Sequence, residues 1–178
     1  MRIPMIVVGC VLGLLATAAN AGEVRYRLTD ANTKIEFTGT KPGGKHDGGF
    51  KRVAGEVVLS DEAGARVDLE IDCGSLYSDN FMLTWHLKGG DFFNVKKHPK
   101  ARFTSTSIDR TERGYTINGN LTFLGVTKAV SFPAAITTGG AVRLNGAVAI
   151  NRQDFGMTYG KGKIDDIVEV RFNVDAAR

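Results

Sequence analysis

Cysteine, proline and tryptophan are scarce in this chain of 178 residues, which has two, four and one of them respectively. Two cysteines cannot build the disulfide framework of a small secreted scaffold. Four prolines against 22 glycines exclude collagen-like and proline-rich chains and point to many tight turns. No block of five or six like charges occurs, and the basic residues are spread over the chain. The net charge of +4 and pI near 9.1 therefore carry little weight for a polyanion partner, and no nucleic-acid role is expected. The histidines at 46, 86 and 98 lack H-x-x-x-H spacing, Cys73 lacks a C-x-x-C partner, and neither a Gly-x-Ser-x-Gly elbow nor a glycine-rich phosphate loop is present. A metal site, a cofactor and catalysis are accordingly not indicated.

The first 21 residues have the layout of a secretory leader. Met1-Arg2 gives a positive start, Ile6 to Ala18 is an apolar run, and Ala19-Asn20-Ala21 has the small-x-small form of a cleavage site. Val7-Val8-Gly9-Cys10 loosely resembles a lipoprotein box, but the apolar run continues past the cysteine through Val11, Leu12, Leu14 and Leu15. Cleavage after Ala21 is expected to deliver residues 22–178 to a bacterial periplasm. The product would carry 22 basic against 19 acidic residues, a net +3, with Cys73 as its lone cysteine. The run is shorter than the roughly 20 residues that span a bilayer, and no second one follows.

The rest of the chain, with 43% apolar and 24% charged residues, is a succession of period-two segments in one domain. Val67, Leu69 and Ile71 alternate with charged residues. The same pattern recurs at Tyr115–Phe123, Val130–Ile136, Val142–Ile150 and Val168–Val174. Val24–Leu28, Thr33–Gly39, Phe50–Leu59 and Ala101–Ile108 complete nine strand segments, with Gly43 to Gly49 left as a hairpin loop. Links such as Asp61-Glu62-Ala63-Gly64, Arg113-Gly114 and Thr138-Gly139-Gly140 fit a meander of sequence neighbours. Residues 76–98 break the alternation and are expected to form short helical turns. One-sided strands of about ten residues, roughly 33 Å at 3.3 Å per residue, favour an antiparallel β-barrel of about eight strands. Such a barrel is either filled by its own side chains or holds one small ligand. Gly119 and Gly146 fall on apolar faces, where they either leave room inside or mark bends.

Several motifs run through the chain in order: Gly49-Phe50, His86-Leu87-Lys88, Asp91-Phe92-Phe93-Asn94, Lys97-His98-Pro99 and Ala101-Arg102-Phe103-Thr104-Ser105. Gly119-Asn120-Leu121-Thr122, Gly125-Val126-Thr127-Lys128 and Asn151-Arg152-Gln153-Asp154-Phe155-Gly156-Met157 follow. In order and spacing they resemble the YceI-like family over nearly all of residues 22–178. Gly89-Gly90 and Phe123-Leu124 depart from the family's usual residues, the latter removing one candidate head-group arginine.

The resemblance implies an extended lipocalin-like antiparallel barrel. Its apolar pore would take up a polyisoprenoid or similar long amphiphile, a ubiquinone-like quinone or a prenyl phosphate, for transport, storage or sequestration. The expected ligand-binding residues are Trp85, His86, Leu87, Phe92, Phe93, Phe103, Tyr115, Leu121, Phe123, Phe132, Arg152 and Phe155. Each also has a plain structural role open to it. The aromatic rings would serve as core, Arg152 would sooner pair with Asp154, Asp165 or Asp166 than meet a ligand, and His86 would equally bond a backbone carbonyl. Alternation alone does not choose which strand face lines the pore. Transient contact with a membrane or a membrane quinone enzyme, and a homodimer, are the partners this reading allows besides the lipid. The rival reading is a filled-barrel accessory protein that binds a protein partner.

Overall fold

A computed structural model describes residues 22–60 and 64–178; the expected leader and the turn at 61–63 lie outside the described residues. The chain folds as β1 (Glu23–Thr29), β2 (Thr33–Lys41), β3 (Gly44–Phe50), β4 (Val53–Ser60), β5 (Gly64–Asp72), β6 (Leu76–Ser78), α1 (Phe81–Lys88), β7 (Lys100–Thr111), β8 (Gly114–Phe123), β9 (Val126–Thr137), β10 (Ala141–Asn151) and β11 (Ile167–Ala177). All strand pairs are antiparallel and belong to one curled sheet.

Nine expected segments become eleven strands arranged as eight staves. β1 runs on into β2 through the turn at 30–32, β3 runs on into β4 across Lys51-Arg52, and β5 runs on into β6 through the 3-10 turn at 73–75. The first composite stave pairs with the second through β1 with β4 and β2 with β3, and the second with the third through β4 with β5 and β3 with β6. From β4 the ladder passes through β5, β7, β8, β9, β10 and β11, and β11 pairs back onto β2. The sheet thereby returns to its starting stave, with one partly open seam: β9 and β10 pair only over Ala134–Thr137 and Arg143–Gly146, and part from each other beyond these residues.

β3 corrects the expectation of a hairpin loop at 43–49. Its glycines weaken the strand signal, yet they are what lets it pair so closely. A Cβ at Gly48 would stand 2.5 Å from the Phe37 ring, and one at Gly49 would stand 2.6 Å from the Ile35 carbonyl oxygen. Gly119 and Gly146 work the same way. A Cβ there would come within 2.5 Å of the rings of Phe103 and Phe172 respectively, so neither glycine opens space: a phenylalanine of the neighbouring strand covers each. The β8–β9 hairpin turns on Leu124-Gly125, both at positive φ (51° and 78°), as a two-residue primed turn requires.

The apolar faces point inward. Tyr26, Leu28, Val57, Ile117, Val142 and Val174 are buried at one end of the barrel, where the Tyr26 hydroxyl donates to the Gly139 carbonyl at 2.9 Å. Leu76, Leu87, Phe92, Phe37 and Met157 form a second cluster at the other end, under α1. Between them lie Ile35, Val53, Ile71, Cys73 and Ala101. α1 is short but well started, since the Asn80 side chain accepts from the Leu83 amide at 3.0 Å.

Candidate functional site

The barrel encloses a cavity of about 450 Å³, inside the range of small-molecule sites. Alternate residues along each stave line it. On β11 these are Val168, Val170, Phe172 and Val174, and six residue steps at 3.3 Å make that wall about 20 Å long. Thr33, Ile35 and Phe37 on β2, Leu69 and Ile71 on β5, and Leu144, Val148 and Ile150 on β10 continue the apolar wall.

Polar side chains gather at one end. Thr40, Lys41, His46, His86, Arg152 and Tyr159 line the mouth near α1, whereas along the shaft Thr33 alone among the described lining residues carries a hydroxyl. Three segments build that mouth and are tied together. The β2–β3 tip is joined to the 156–166 loop by the Thr40 hydroxyl donating to Asp165 at 2.5 Å and by the Asp165 amide donating to the Thr40 carbonyl at 2.9 Å. The same tip is joined to the start of α1 by His46 Nδ1, 3.1 Å from Asp79 Oδ1. The loop in turn meets α1 through the Tyr159 ring, whose centroid is 5.2 Å from His86 and 5.0 Å from Phe92.

His86, Leu87, Phe92, Phe93, Phe103, Leu121, Phe123, Phe132 and Arg152 all border the cavity. Phe93 links Phe37, Phe50 and Phe123 through ring contacts of 5.2–6.2 Å, which makes an aromatic collar below the mouth. Phe103, Phe132 and Phe172 stack further down at 5.2–5.6 Å. The three other expected contacts lie elsewhere, for reasons of local geometry. Trp85 is on the far side of α1 from Leu83, His86 and Leu87 and is 77% exposed. Tyr115 shares the inward face of Ile117 but sits one pleat nearer the closed end, opposite Ala134, outside the cavity lining. Phe155 is buried in a 3-10 turn against the Phe123 ring, 5.6 Å away, and does not border the cavity.

Arg152 borders the mouth with its donors already committed. It is 3% exposed, and all five of its N–H groups have acceptors in the chain. Nε donates to the Asp165 carbonyl (3.0 Å), Nη1 to those of Met157 and Tyr159 (2.7 Å each), and Nη2 to the Ile164 carbonyl (3.1 Å) and Asp166 Oδ1 (3.2 Å). It holds the 156–166 loop in shape and has no N–H left for a head group. His86 keeps one nitrogen for Asp91, with Nε2 3.0 Å from Oδ2, while its ring edge rests on Phe92 and Tyr159.

The loop residues Met157, Tyr159 and Ile164 line the mouth although no alternation marks them, because a loop carries no period. Cys73 is 1% exposed, and burial, reinforced by Asp72, pushes its thiol up to about 11; a thiol held protonated this way is no nucleophile. Among the described residues no three His, Cys, Asp or Glu side chains converge as metal ligands would.

The YceI-like domain model matches residues 26–176. A UPF0312 protein of Yersinia enterocolitica is 33% identical over 123 residues, covering 65% of this chain and 64% of that protein, so the aligned chain spans just under two thirds of that relative. Among solved structures, Burkholderia cenocepacia BcnA superposes with a TM-score of 0.75 at 24% identity, over 83% of this chain and 98% of that one. A polyisoprenoid binding domain from Saccharophagus degradans gives 0.68 at 13% identity, over 86% and 97%. At these identities the superpositions establish a shared fold.

Proposed function

The chain belongs to the YceI-like family, and from that footing we propose that it is a non-catalytic periplasmic carrier whose barrel holds a polyisoprenoid or similar long-chain amphiphile. The observation that carries this reading is the polarity of the lumen, an apolar shaft with its polar side chains at one mouth. An amphiphile entering tail first would bury its chain against Phe103, Phe132 and Phe172 and leave its head beside His86 and Tyr159. A barrel filled by its own side chains has no need of a 450 Å³ cavity, which counts against the rival reading. The polyisoprenoid-binding neighbour and the expected leader support cargo and compartment respectively.

The energetics favour exchange with a membrane rather than with water. At about 0.8 kcal/mol per buried carbon a 40-carbon tail would gain about 30 kcal/mol on leaving water, beyond the practical ceiling of about 18–21 for any complex. A tail that leaves a bilayer is already in hydrocarbon, so the net preference is small and carriage is reversible. Native mass spectrometry of protein expressed with its leader, followed by organic extraction, tests the proposal. A stoichiometric prenyl-chain species is expected. A clean apo mass, with added ubiquinone failing to bind, would overturn it.

A further inference from the structure

The lumen is stopped at the end away from α1, and the stop fixes how far a tail can reach. Val142 and Ala176 are 0% exposed and pair with each other one pleat beyond Leu144 and Val174, the last residues of β10 and β11 to line the cavity. Tyr26 belongs to the same buried cluster. Its hydroxyl donates to the Gly139 carbonyl at 2.9 Å, so the side chain reaches from β1 to the link between β9 and β10 and bars the end. β9 and β10, which part nearer the mouth, are paired at this level.

Depth follows from the strands. β8 lines the cavity from Ile117 to Phe123, β10 from Leu144 to Ile150 and β11 from Val168 to Val174, six residue steps in each case. Six steps at about 3.3 Å, on staves tilted by about 35–45°, give a depth of about 15 Å, or about 5 Å for each pleat of two residues. A carbon chain with bonds of about 1.5 Å advances about 1.2 Å per bond, so an isoprene unit, with about four bonds in the chain, is also about 5 Å long. One pleat therefore takes one unit, and the apolar wall takes about three before it turns polar at Thr40, Lys41 and Tyr159.

The width allows a single pass. Phe103 lies over Gly119 and Phe172 over Gly146, and both rings meet Phe132, 5.6 and 5.2 Å away, so inward rings run along the wall from β7 to β11. A barrel of about eight strands has room for side chains or for one small ligand, and a tail has no space to double back beside these rings.

We propose that the floor at Tyr26 makes the barrel a gauge of tail length, which takes one tail of about three isoprene units, four at most, and rejects longer ones. The proposal rests on the carrier reading and narrows its cargo to short prenyl tails. A 40-carbon tail would leave about half of its length or more outside the wall.

The test offers the purified protein an equimolar set of linear prenyl alcohols, from about two to about eight isoprene units long, in nonionic detergent micelles, and weighs the complexes by native mass spectrometry. Alcohols of about three and four units should dominate, and each further unit should cut retention at least about tenfold, because its carbons stay outside the barrel. Val174→Phe fills the lowest lining level and should move the maximum down by about one unit, the length of a pleat; its ring enters open cavity, so the fold is kept. Tyr26→Ala removes the bar and should move the maximum up by about one unit. Circular dichroism checks the fold of both, and Val174→Phe carries the test if Tyr26→Ala does not fold. Retention that stays level up to the longest alcohol, as a tail leaving through the gap between β9 and β10 would give, overturns the gauge and leaves the carrier reading standing. A maximum that Val174→Phe does not move has the same meaning. A protein that retains none of the alcohols defeats the carrier reading, and the gauge falls with it.

Discussion

Replacing Arg152 should unfasten the mouth of the barrel even when no ligand is present. Its guanidinium is 3% exposed and serves four carbonyls and one carboxylate, drawn from Met157, Tyr159, Ile164, Asp165 and Asp166. Hydrogen bonds to a charged group contribute about 1.5–3 kcal/mol each, and a buried acceptor left bare costs about 1–3. These quantities do not add. Asp166 is 43% exposed and would be rehydrated, whereas the Met157 carbonyl sits in a buried bond. For Arg152→Met a loss of about 4 kcal/mol is a fair central value, in line with the 3–5 expected when one partner of a buried charged contact is removed. For a domain of this size that lowers Tm by about 8–16 °C. Arg152→Lys keeps the charge but has three donors around one nitrogen in place of five in a planar fork, so at least two acceptors lose their partner and about 2 kcal/mol goes.

Thermal and urea denaturation of the apo protein, followed by circular dichroism, measures both variants, and amide exchange at Lys161, Lys163 and Ile164 shows where the loss falls. Those amides donate to the Thr158 and Gly160 carbonyls inside the loop and should exchange faster. If Arg152 were instead a head-group ligand, apo stability would be untouched and cargo retention alone would fall. An Arg152→Lys protein within about 0.5 kcal/mol of wild type would refute the claim that the fork geometry matters.

Phe123→Arg places a charge in the aromatic collar beside Phe93 and Phe155 and should reduce extracted cargo more than tenfold, while Lys161→Ala, on the outer rim, should leave cargo retention as it is; lipid per mole of protein measures both. Gly146→Ala would set a Cβ 2.5 Å from the Phe172 ring and 2.6 Å from the Pro133 carbonyl oxygen. It should cost about 1–3 kcal/mol in urea and push the ring into the lumen, and the extracted lipids should shorten. The Cys73 thiol should resist alkylation at pH 8 until the protein unfolds. Its folded value of about 11 lies above the ordinary 9.0, so the unfolded chain gives up its proton first; the stability this provides is intact below pH 9 and falls between pH 9 and 11. The urea midpoint of wild type should drop over that interval more than that of Cys73→Ala, and equal drops would refute the assignment.

The strand faces were legible because one buried side forces a strict period of two. Val67, Leu69 and Ile71, or Val168, Val170, Phe172 and Val174, follow from the alternation as one face, and all border the cavity. β3 was not legible, since Gly44, Gly48 and Gly49 have no side chains to alternate; their meaning lies on partner residues Phe37 and Ile35 across the sheet. Trp85 was misplaced for a different reason. A helix of eight residues with apolar side chains all round carries no stripe to show which face is covered, and only the barrel beneath α1 decides it. For Arg152 the sequence offers Asp166 as a salt-bridge partner, which the structure shows at 3.2 Å, but its four other acceptors are backbone carbonyls, which no residue type announces.

The polarity of the lumen, in contrast, was present in the sequence as a pattern of loop lengths. Antiparallel staves send successive connections to opposite ends of a barrel. The links at 112–113 and 138–140 fall at one end and are both short, so that end is sealed by strand residues such as Tyr26. The long links at 73–99 and 152–166 both fall at the other, together with the β2–β3 tip. Long connections are where a backbone leaves the ladder and needs side-chain partners, which is why Arg152, His86 and Asp165 are found there and why polar groups cluster at that mouth. Strand parity and loop length thus place the polar mouth of the described barrel at the end that α1 covers, beside Phe92 and Tyr159.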